Sequence, residues 1–113
     1  IFIFHYFYDH LKDLMVYLKD VNTIVPLEKL ASMLGISRYA VIRLFKANWG
    51  LTPHAFQLNL KVNQARELLK HGKNIADISY ELGFSDQSHF SKFFKEVIGL
   101  TPGQYRNIFK VKQ

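Results

Sequence analysis

The sequence repeats one pattern of apolar residues, glycine and proline, and this repeat constrains the fold more than any other feature. Residues 27–37 and 75–85 carry apolar residues and a glycine at matching places, offset by 48 positions. Each copy continues into a second helical pattern that closes with Gly-Leu-Thr-Pro, at residues 50–53 and 99–102, now offset by 49 positions. The second copy therefore has one extra residue, which we expect between Ser85 and the first buried aromatic residue after it.

In each copy a small residue and a glycine stand where two short helices would cross at a tight turn. Ala31 and Gly35 in the first copy correspond to Ser79 and Gly83 in the second. A small side chain lets two helices approach closely, and glycine adopts a positive φ without a steric penalty. Such a unit is typical of the helix-turn-helix motif, which places its second helix in the major groove of DNA. Two units in register predict sequence-specific binding of double-stranded DNA.

Apolar periodicity predicts an all-α chain of about seven helices. They are expected at about 9–19, 27–34, 38–48, 53–70, 75–82, 86–98 and 102–106. Ser37 and Ser85 are the expected N-caps of the third and sixth helices. The inner faces of these two helices are predicted to hold Val41, Leu44, Phe45 and Asn48, and Phe90, Phe93, Phe94 and Val97. The sequence thus predicts two helix-turn-helix subdomains, 9–52 and 73–113, joined by a long connector helix at 53–72, after a linker or upstream tail at 1–8.

The net charge of +6, from 15 Lys and Arg against 9 Asp and Glu, is unevenly distributed. Through Gly35 there are three Lys against four acidic residues, which leaves twelve basic and five acidic residues for the rest of the chain. A basic excess from the first predicted DNA-reading helix onward is expected of a protein that faces a polyanion. The chain has no Cys, and hence no disulfide framework or thiolate metal site, so a reducing cytoplasmic compartment is expected.

Residues 75–106, IADISYELGFSDQSHFSKFFKEVIGLTPGQYR, resemble the C-terminal signature of AraC/XylS-type bacterial transcription regulators. The resemblance extends over about 11–106. It implies a DNA-binding domain whose sensory or dimerising domain lies upstream of this chain, with promoter DNA as its partner and RNA polymerase as a second partner of an activator. Ser79 stands where alanine is more usual, and Tyr39 and Ile42 also depart from many members; these departures concern the target sequence rather than the class.

Helical geometry identifies the side chains that face away from the predicted core. Because the N-terminal half of a DNA-reading helix meets the base edges, the predicted base contacts are Arg38, Tyr39, Ile42, Arg43, Gln87, Ser88, Ser91 and Lys92. The predicted phosphate contacts are Ser37, Lys46, Ser85 and Lys95. Arg43 suits guanine O6 and N7, Gln87 suits adenine, and Ile42 suits a thymine methyl. Lys92 fits base contact and solvation about equally.

The connector and one carboxylate set further expectations for the two motifs. At 1.5 Å per residue, a helix over 53–70 is about 27 Å long, comparable with the separation of about 34–36 Å between successive major-groove faces once helix widths are added. Both motifs are therefore expected to read adjacent groove segments.

Asp86 is expected to stabilise the first turn of the sixth helix through the helix dipole rather than to bind cytosine. Since phosphate repels a carboxylate, specificity is expected mostly from the first motif, which has Arg38 and Arg43 instead.

Other function classes find less support in the sequence. The runner-up is a basic helical module that binds an acidic protein partner, which would expose apolar anchors at i, i+4 and i+7. Stacking of single-stranded nucleic acid on the aromatic residues conflicts with their predicted inward positions. No Gly-rich phosphate loop, nucleophile elbow or catalytic acidic pair suggests an enzyme. The five histidines, His5, His10, His54, His71 and His89, form no i, i+4 pair, so no metal and no cofactor is expected.

Overall fold

The computed structural model describes residues 2–111, with side chains described from Leu11 to Phe109. Its elements are seven α-helices: α1 (Phe2–Asp20), α2 (Leu27–Leu34), α3 (Arg38–Trp49), α4 (Pro53–Lys70), α5 (Ile75–Glu81), α6 (Gln87–Ile98) and α7 (Pro102–Val111). No β-strand occurs in the part of the chain that the structure describes. The predicted all-α class is confirmed.

The two terminal helices are longer than predicted. α1 begins at Phe2 rather than Asp9, because no glycine or proline interrupts the helix in the segment predicted to be a linker or upstream tail. Ile1 and the side chains of residues 2–10 lie outside the described part of the structure. α7 continues past Arg106, and Phe109 packs on Tyr105 one turn earlier, with ring centroids 4.9 Å apart.

The chain divides into two units, residues 1–57 and 58–113, and the division falls inside α4. The first unit contains α1, α2, α3 and the N-terminal residues of α4. The second contains the C-terminal residues of α4 followed by α5, α6 and α7. Each unit therefore consists of a helix, a helix-turn-helix pair and a closing helix that begins at a Thr-Pro step. The repeat in the sequence is a repeat of this whole unit.

The core of the first unit is centred on α3. Val41 and Phe45 are completely buried. The Phe45 ring meets Phe56 of α4 edge to face, with centroids 5.4 Å apart and planes at 75°. Trp49 closes this core against both rings, with centroid distances of 5.0 Å to Phe45 and 4.4 Å to Phe56. The three aromatic rings fix α3 on α4.

The core of the second unit repeats this arrangement around α6. Phe90 and Phe94 are completely buried, and Phe94 meets Tyr105 of α7 with centroids 5.5 Å apart and planes at 72°. Phe94 and Tyr105 follow Phe45 and Phe56 by the same 49 positions. The Tyr105 hydroxyl accepts a hydrogen bond from Arg66 Nε at 3.2 Å, and this bond raises the pKa of the Arg66 guanidinium.

Two residues predicted on the inner faces are exposed. Asn48 faces solvent and donates from its amide to the Leu44 carbonyl oxygen at 2.8 Å. Val97, its counterpart in α6, has 41% of its surface exposed. In both helices the last inward position is one residue later, at Trp49 and Ile98, because the closing helix packs on that side. The prediction for Asn48 and Val97 was therefore wrong.

The turns of the two motifs differ by one residue, and the difference decides which residue caps the second helix. Ser37 caps α3 as predicted, since its Oγ accepts from the Ala40 N–H at 3.1 Å. α6 is capped by Asp86 rather than by Ser85, with Asp86 Oδ1 accepting from the His89 N–H at 2.7 Å. α3 and α6 each have 12 residues. The extra residue therefore lies in the turn before the cap, not between the cap and Phe90.

A buried amide ties α4 to the loop before α2 in the first unit. Gln57, with only 2% of its surface exposed, accepts from the Val25 N–H at 2.7 Å and donates to the Val25 carbonyl oxygen at 3.0 Å. Val25 itself is 4% exposed and precedes Pro26. A primary amide has both a donor and an acceptor, so it satisfies both backbone groups of one buried residue.

Arg106 has the corresponding role in the second unit. Its guanidinium donates to the carbonyl oxygen of Lys73, which follows Val25 by 48 positions. The Lys73 N–H already donates to the Leu68 carbonyl oxygen at 3.1 Å. Only an acceptor remains to be satisfied there, and arginine, which has donors alone, suffices. The Lys73 ammonium group also pairs with Glu81 of α5.

Replacement of Gln57 by leucine is expected to lower the free energy of unfolding by about 2–4 kcal/mol, because two buried backbone groups lose their partners at about 1–3 kcal/mol each. Urea denaturation followed by circular dichroism measures the change. Asn48→Ala removes an exposed amide that bonds only within its own helix, and should change stability by less than about 0.5 kcal/mol. Equal effects of the two variants would contradict the role given to Gln57.

Candidate nucleic-acid interface

The predicted contacts of the first unit lie at the start of α3 and on the side of the helix away from its core. We define the α3 face by Arg38, Tyr39, Ile42, Arg43 and Lys46. Arg38, Arg43 and Lys46 are exposed, Tyr39 is 72% exposed, and Ile42 is half-buried. Because Val41 and Phe45 fix the opposite side of the helix, the outward directions of Tyr39, Arg43 and Lys46 follow from 100° per residue, with Ile42 at the flank. Arg38 lies three residues before Val41 and is exposed because it begins the first turn of α3. Ser37, the remaining predicted contact, is exposed at the start of the helix, where its hydroxyl caps α3.

Arg38 has an acidic neighbour within its own unit. Its Nη1 lies 3.4 Å from Glu28 Oε1 in the first turn of α2, with the two side chains 60% and 80% exposed. Exposed pairs of this kind contribute about 0–1 kcal/mol. A pair this weak leaves the Arg38 guanidinium able to exchange Glu28 for another partner.

The predicted contacts of α6 line one groove. We define the α6 groove by its lining residues Gln87, Ser88, Ser91, Lys92, Lys95 and Thr101, which surround a shallow, open depression of about 600 Å³. Its members on α6 are exposed except Ser91, which is half-buried like Ile42 at the matching position of α3. All four predicted base contacts of α6 and the predicted phosphate contact Lys95 therefore share one surface. Ser85 is exposed in the preceding turn and does not line the groove.

Thr101 is the lining residue of the groove that the sequence did not predict as a DNA contact. It caps α7: its Oγ1 accepts from the Gln104 N–H at 3.1 Å, and its own N–H donates to Gln104 Oε1 at 2.9 Å. The positive end of the α7 dipole therefore adjoins the groove, where it favours an anion. The repeated Gly-Leu-Thr-Pro sequence could have indicated that Thr101 lies near the groove, because it starts a helix directly after α6.

Charge differs between the two surfaces. α3 has three cationic residues and no acidic residue, whereas α6 has Lys92 and Lys95 together with Glu96 and starts at the Asp86 carboxylate. Lys46 and Lys95 stand at matching positions in the last turns of the two helices. Both helices present cations, and α3 presents the larger excess. Within the described residues, no group of three or more histidine or acidic side chains is placed to hold a metal ion.

Comparison with known proteins identifies the class. Residues 30–108 match the family model of a helix-turn-helix domain. The HTH-type transcriptional regulator MtrA of Neisseria gonorrhoeae is 33% identical over 81 residues, which cover 71% of this chain and 27% of that protein. An AraC-type DNA-binding regulator from Chromobacterium violaceum, known from its crystal structure, is 30% identical with a TM-score of 0.75, covering 83% of this chain and 85% of that one.

A further structure shares the fold at lower identity. The DNA-binding domain of AdpA, solved in complex with a target DNA, has a TM-score of 0.83 at 22% identity, and the match covers 91% of this chain and 95% of that one. The chain belongs to the AraC/XylS-type family of helix-turn-helix transcription regulators. The predicted class, a sequence-specific DNA-binding domain of transcription regulation, is confirmed. The chain spans about a quarter of the length of the first curated regulators it matches, 27% for MtrA.

Two variants of Asp86 separate its capping role from its charge. Asp86→Asn keeps the N-cap hydrogen bond but removes a negative charge beside the α6 groove and at the helix dipole, so we expect a loss of about 0.3–1 kcal/mol of stability and tighter binding of any DNA duplex. Asp86→Ala loses the cap as well and should cost about 1–2 kcal/mol of stability. Urea denaturation and fluorescence anisotropy with labelled duplexes measure both quantities. Weaker binding by Asp86→Asn would indicate the cytosine contact instead.

Proposed function

We propose that the α3 face and the α6 groove are the two DNA-reading surfaces of this chain, and that α3 and α6 each enter a major-groove segment of one duplex. The observation that carries the proposal is the match between the two surfaces. At offset 49, Arg38, Tyr39, Ile42, Arg43 and Lys46 correspond to Gln87, Ser88, Ser91, Lys92 and Lys95. Apart from Tyr39 and Ile42, these positions hold polar or cationic side chains in both helices, while buried phenylalanines occupy the inner side.

In this proposal the two ends of each helix have different tasks. Residues in the first two turns, Arg38 to Arg43 and Gln87 to Lys92, reach base edges, where arginine and glutamine have the donors and acceptors for bidentate readout. Lys46 and Lys95, Ser37 and Ser85 contact phosphates and fix the position of each helix on the duplex. The proximity of Thr101 to the α6 groove supports a further phosphate contact there.

The runner-up is a basic helical module that binds an acidic protein. Such a module needs a row of exposed apolar anchors. On the α3 face only Tyr39 is both apolar and largely exposed, and the α6 groove is lined by hydroxyl, amide and ammonium side chains. This composition favours nucleic acid over a protein partner.

For the full-length protein we propose a cytoplasmic transcription regulator, not an enzyme, in which this chain supplies DNA binding and an upstream domain supplies sensing or dimerisation. RNA polymerase is the further partner if the regulator is an activator. No helix among the described residues is long and apolar enough to cross a membrane.

The dependence of affinity on salt tests the proposal. A duplex selected by this chain from a random pool should bind tighter than a scrambled duplex, and for both the logarithm of the affinity should fall with the logarithm of salt at about −0.9 per phosphate contacted. With several contacts, affinity drops by orders of magnitude between about 50 and 200 mM salt. Fluorescence anisotropy gives both curves. A complex insensitive to salt, or equal affinity for the two duplexes, would contradict sequence-specific DNA binding.

Variants of one proposed base contact, Arg43, and one proposed phosphate contact, Lys95, test whether the two kinds of contact differ. Arg43→Ala should cost about 1–3 kcal/mol on the selected duplex and relax the preference at one base pair, whereas Lys95→Ala should weaken all sequences alike. Arg43→Lys is the matched control, because it keeps the charge and loses the bidentate fork. It should bind scrambled DNA as the parent does and still lose discrimination. A uniform loss by Arg43→Ala across sequences would make Arg43 a phosphate contact.

A further inference from the structure

Ser79 holds both ends of the turn that leads into α6. Its backbone carbonyl oxygen accepts from the Phe84 N–H at 3.1 Å, where the turn begins. Its side-chain Oγ donates to the carbonyl oxygen of Asp86 at 3.0 Å, where the turn ends. Ser79 is 2% exposed, so this hydroxyl bonds away from bulk water.

The Asp86 end of this contact is the start of α6. Asp86 is the N-cap, and its carbonyl oxygen also accepts the first helical bond from the Phe90 N–H at 3.2 Å. A carbonyl oxygen has two lone pairs, so the Ser79 hydroxyl and the Phe90 N–H can share it. The bond from Ser79 thus acts on the residue that determines where α6 begins and in which direction it starts.

The first unit forms the corresponding turn without a side-chain hydroxyl. Ala31 occupies the position of Ser79, and its carbonyl oxygen accepts from the Ile36 N–H at 3.1 Å, the same closing bond. Ser37, the cap of α3, is the first residue after Ile36, whereas Asp86, the cap of α6, is the second residue after Phe84. The additional residue, Ser85, brings two more backbone dihedral angles, whose freedom must be removed to hold the helix start. A hydroxyl is present only in the unit with the longer turn.

We propose that Ser79 is a positioning residue for DNA readout: its hydroxyl fixes the start of α6 across the longer turn and thereby sets the alignment of the α6 groove with base edges. The inference rests on the proposed function. Gln87 and Ser88 directly follow the restrained cap, so a change in the direction of Asp86 displaces them first. Base discrimination depends on this alignment far more steeply than phosphate attraction does.

The experiment measures ratios of dissociation constants. This chain and its Ser79→Ala variant are titrated with the selected duplex and with every single base-pair substitution of it, at one salt concentration. The segment read by α6 is identified as the base pairs at which Gln87→Ala loses discrimination. Ser79→Ala should reduce discrimination in that segment about two- to tenfold, the equivalent of one hydrogen bond, and leave the penalties in the α3 segment and the salt slope unchanged.

The ratio separates positioning from stability. A variant that is merely less folded loses active protein, which weakens all duplexes equally and leaves every ratio intact. Ala31 fits the matching place in the first unit, so Ser79→Ala should fold; Ser79→Cys, of similar size with a weak donor, is the second variant and should show a smaller loss in the same segment.

Each remaining outcome is decisive. Unchanged ratios in a folded Ser79→Ala protein would overturn the role of Ser79 while leaving the proposed function in place. A parent chain that discriminates only in the α3 segment would overturn both the role of Ser79 and the proposed base readout by α6, and would leave only the readout by α3 in place. A parent chain without any sequence preference would overturn the proposed function itself.

Discussion

A completely buried phenylalanine holds each DNA-facing helix on its unit, and the outward surfaces depend on it. α3 and α6 have 12 residues each, and isolated helices of that length are marginal in water. Phe45 and Phe94 pack edge to face on an aromatic ring of the closing helix, a geometry worth about 0.5–1.5 kcal/mol beyond the burial of area. Because the inner side is fixed in this way, the outer side chains have defined directions. A surface that reads bases requires such directions more than it requires affinity.

The two units solve the same problem with different residues, and the differences concentrate where α6 begins. The first unit has a short turn, a neutral serine cap and three cations on α3. The second has a longer turn, an aspartate cap and the buried Ser79 hydroxyl. Aspartate is among the best N-caps and complements the helix dipole, yet it places a negative charge directly before the residues of α6 that are proposed to contact DNA. Stability of α6 and attraction to DNA therefore oppose each other at one residue, which agrees with the expectation that the first unit supplies more of the specificity.

Most of the fold was predictable because its boundaries are set by local chemistry. Gly35 after Leu34 marked the end of α2 to the residue, and Pro53 after Thr52 marked the start of α4. The cap of α6 was misassigned because Ser85 and Asp86 are both good N-caps, and their order alone does not decide which backbone turns extended. The contact of Gln57 with Val25 was not predictable: it joins a side chain to backbone atoms 32 positions away, and polar residues in a helix usually face water. The hydrogen bond from Ser79 to the Asp86 carbonyl oxygen was not predictable for the same reason.

Buried and outward positions interleave along each DNA-facing helix without overlapping, and this separation determines what can change. Loss of Phe94 would open a cavity at a cost of about 3–5 kcal/mol, whereas an exposed Lys92 can be exchanged with little effect on the core. Specificity could then change from one regulator to another through the outward set alone. Ser79 belongs to neither set, since it is buried like the core and bonded to the cap that aims the outward residues. In the proposed role of Ser79, the preference of the second unit depends on a buried side chain outside the DNA-contacting set, and an account of specificity based on contacts alone would omit it.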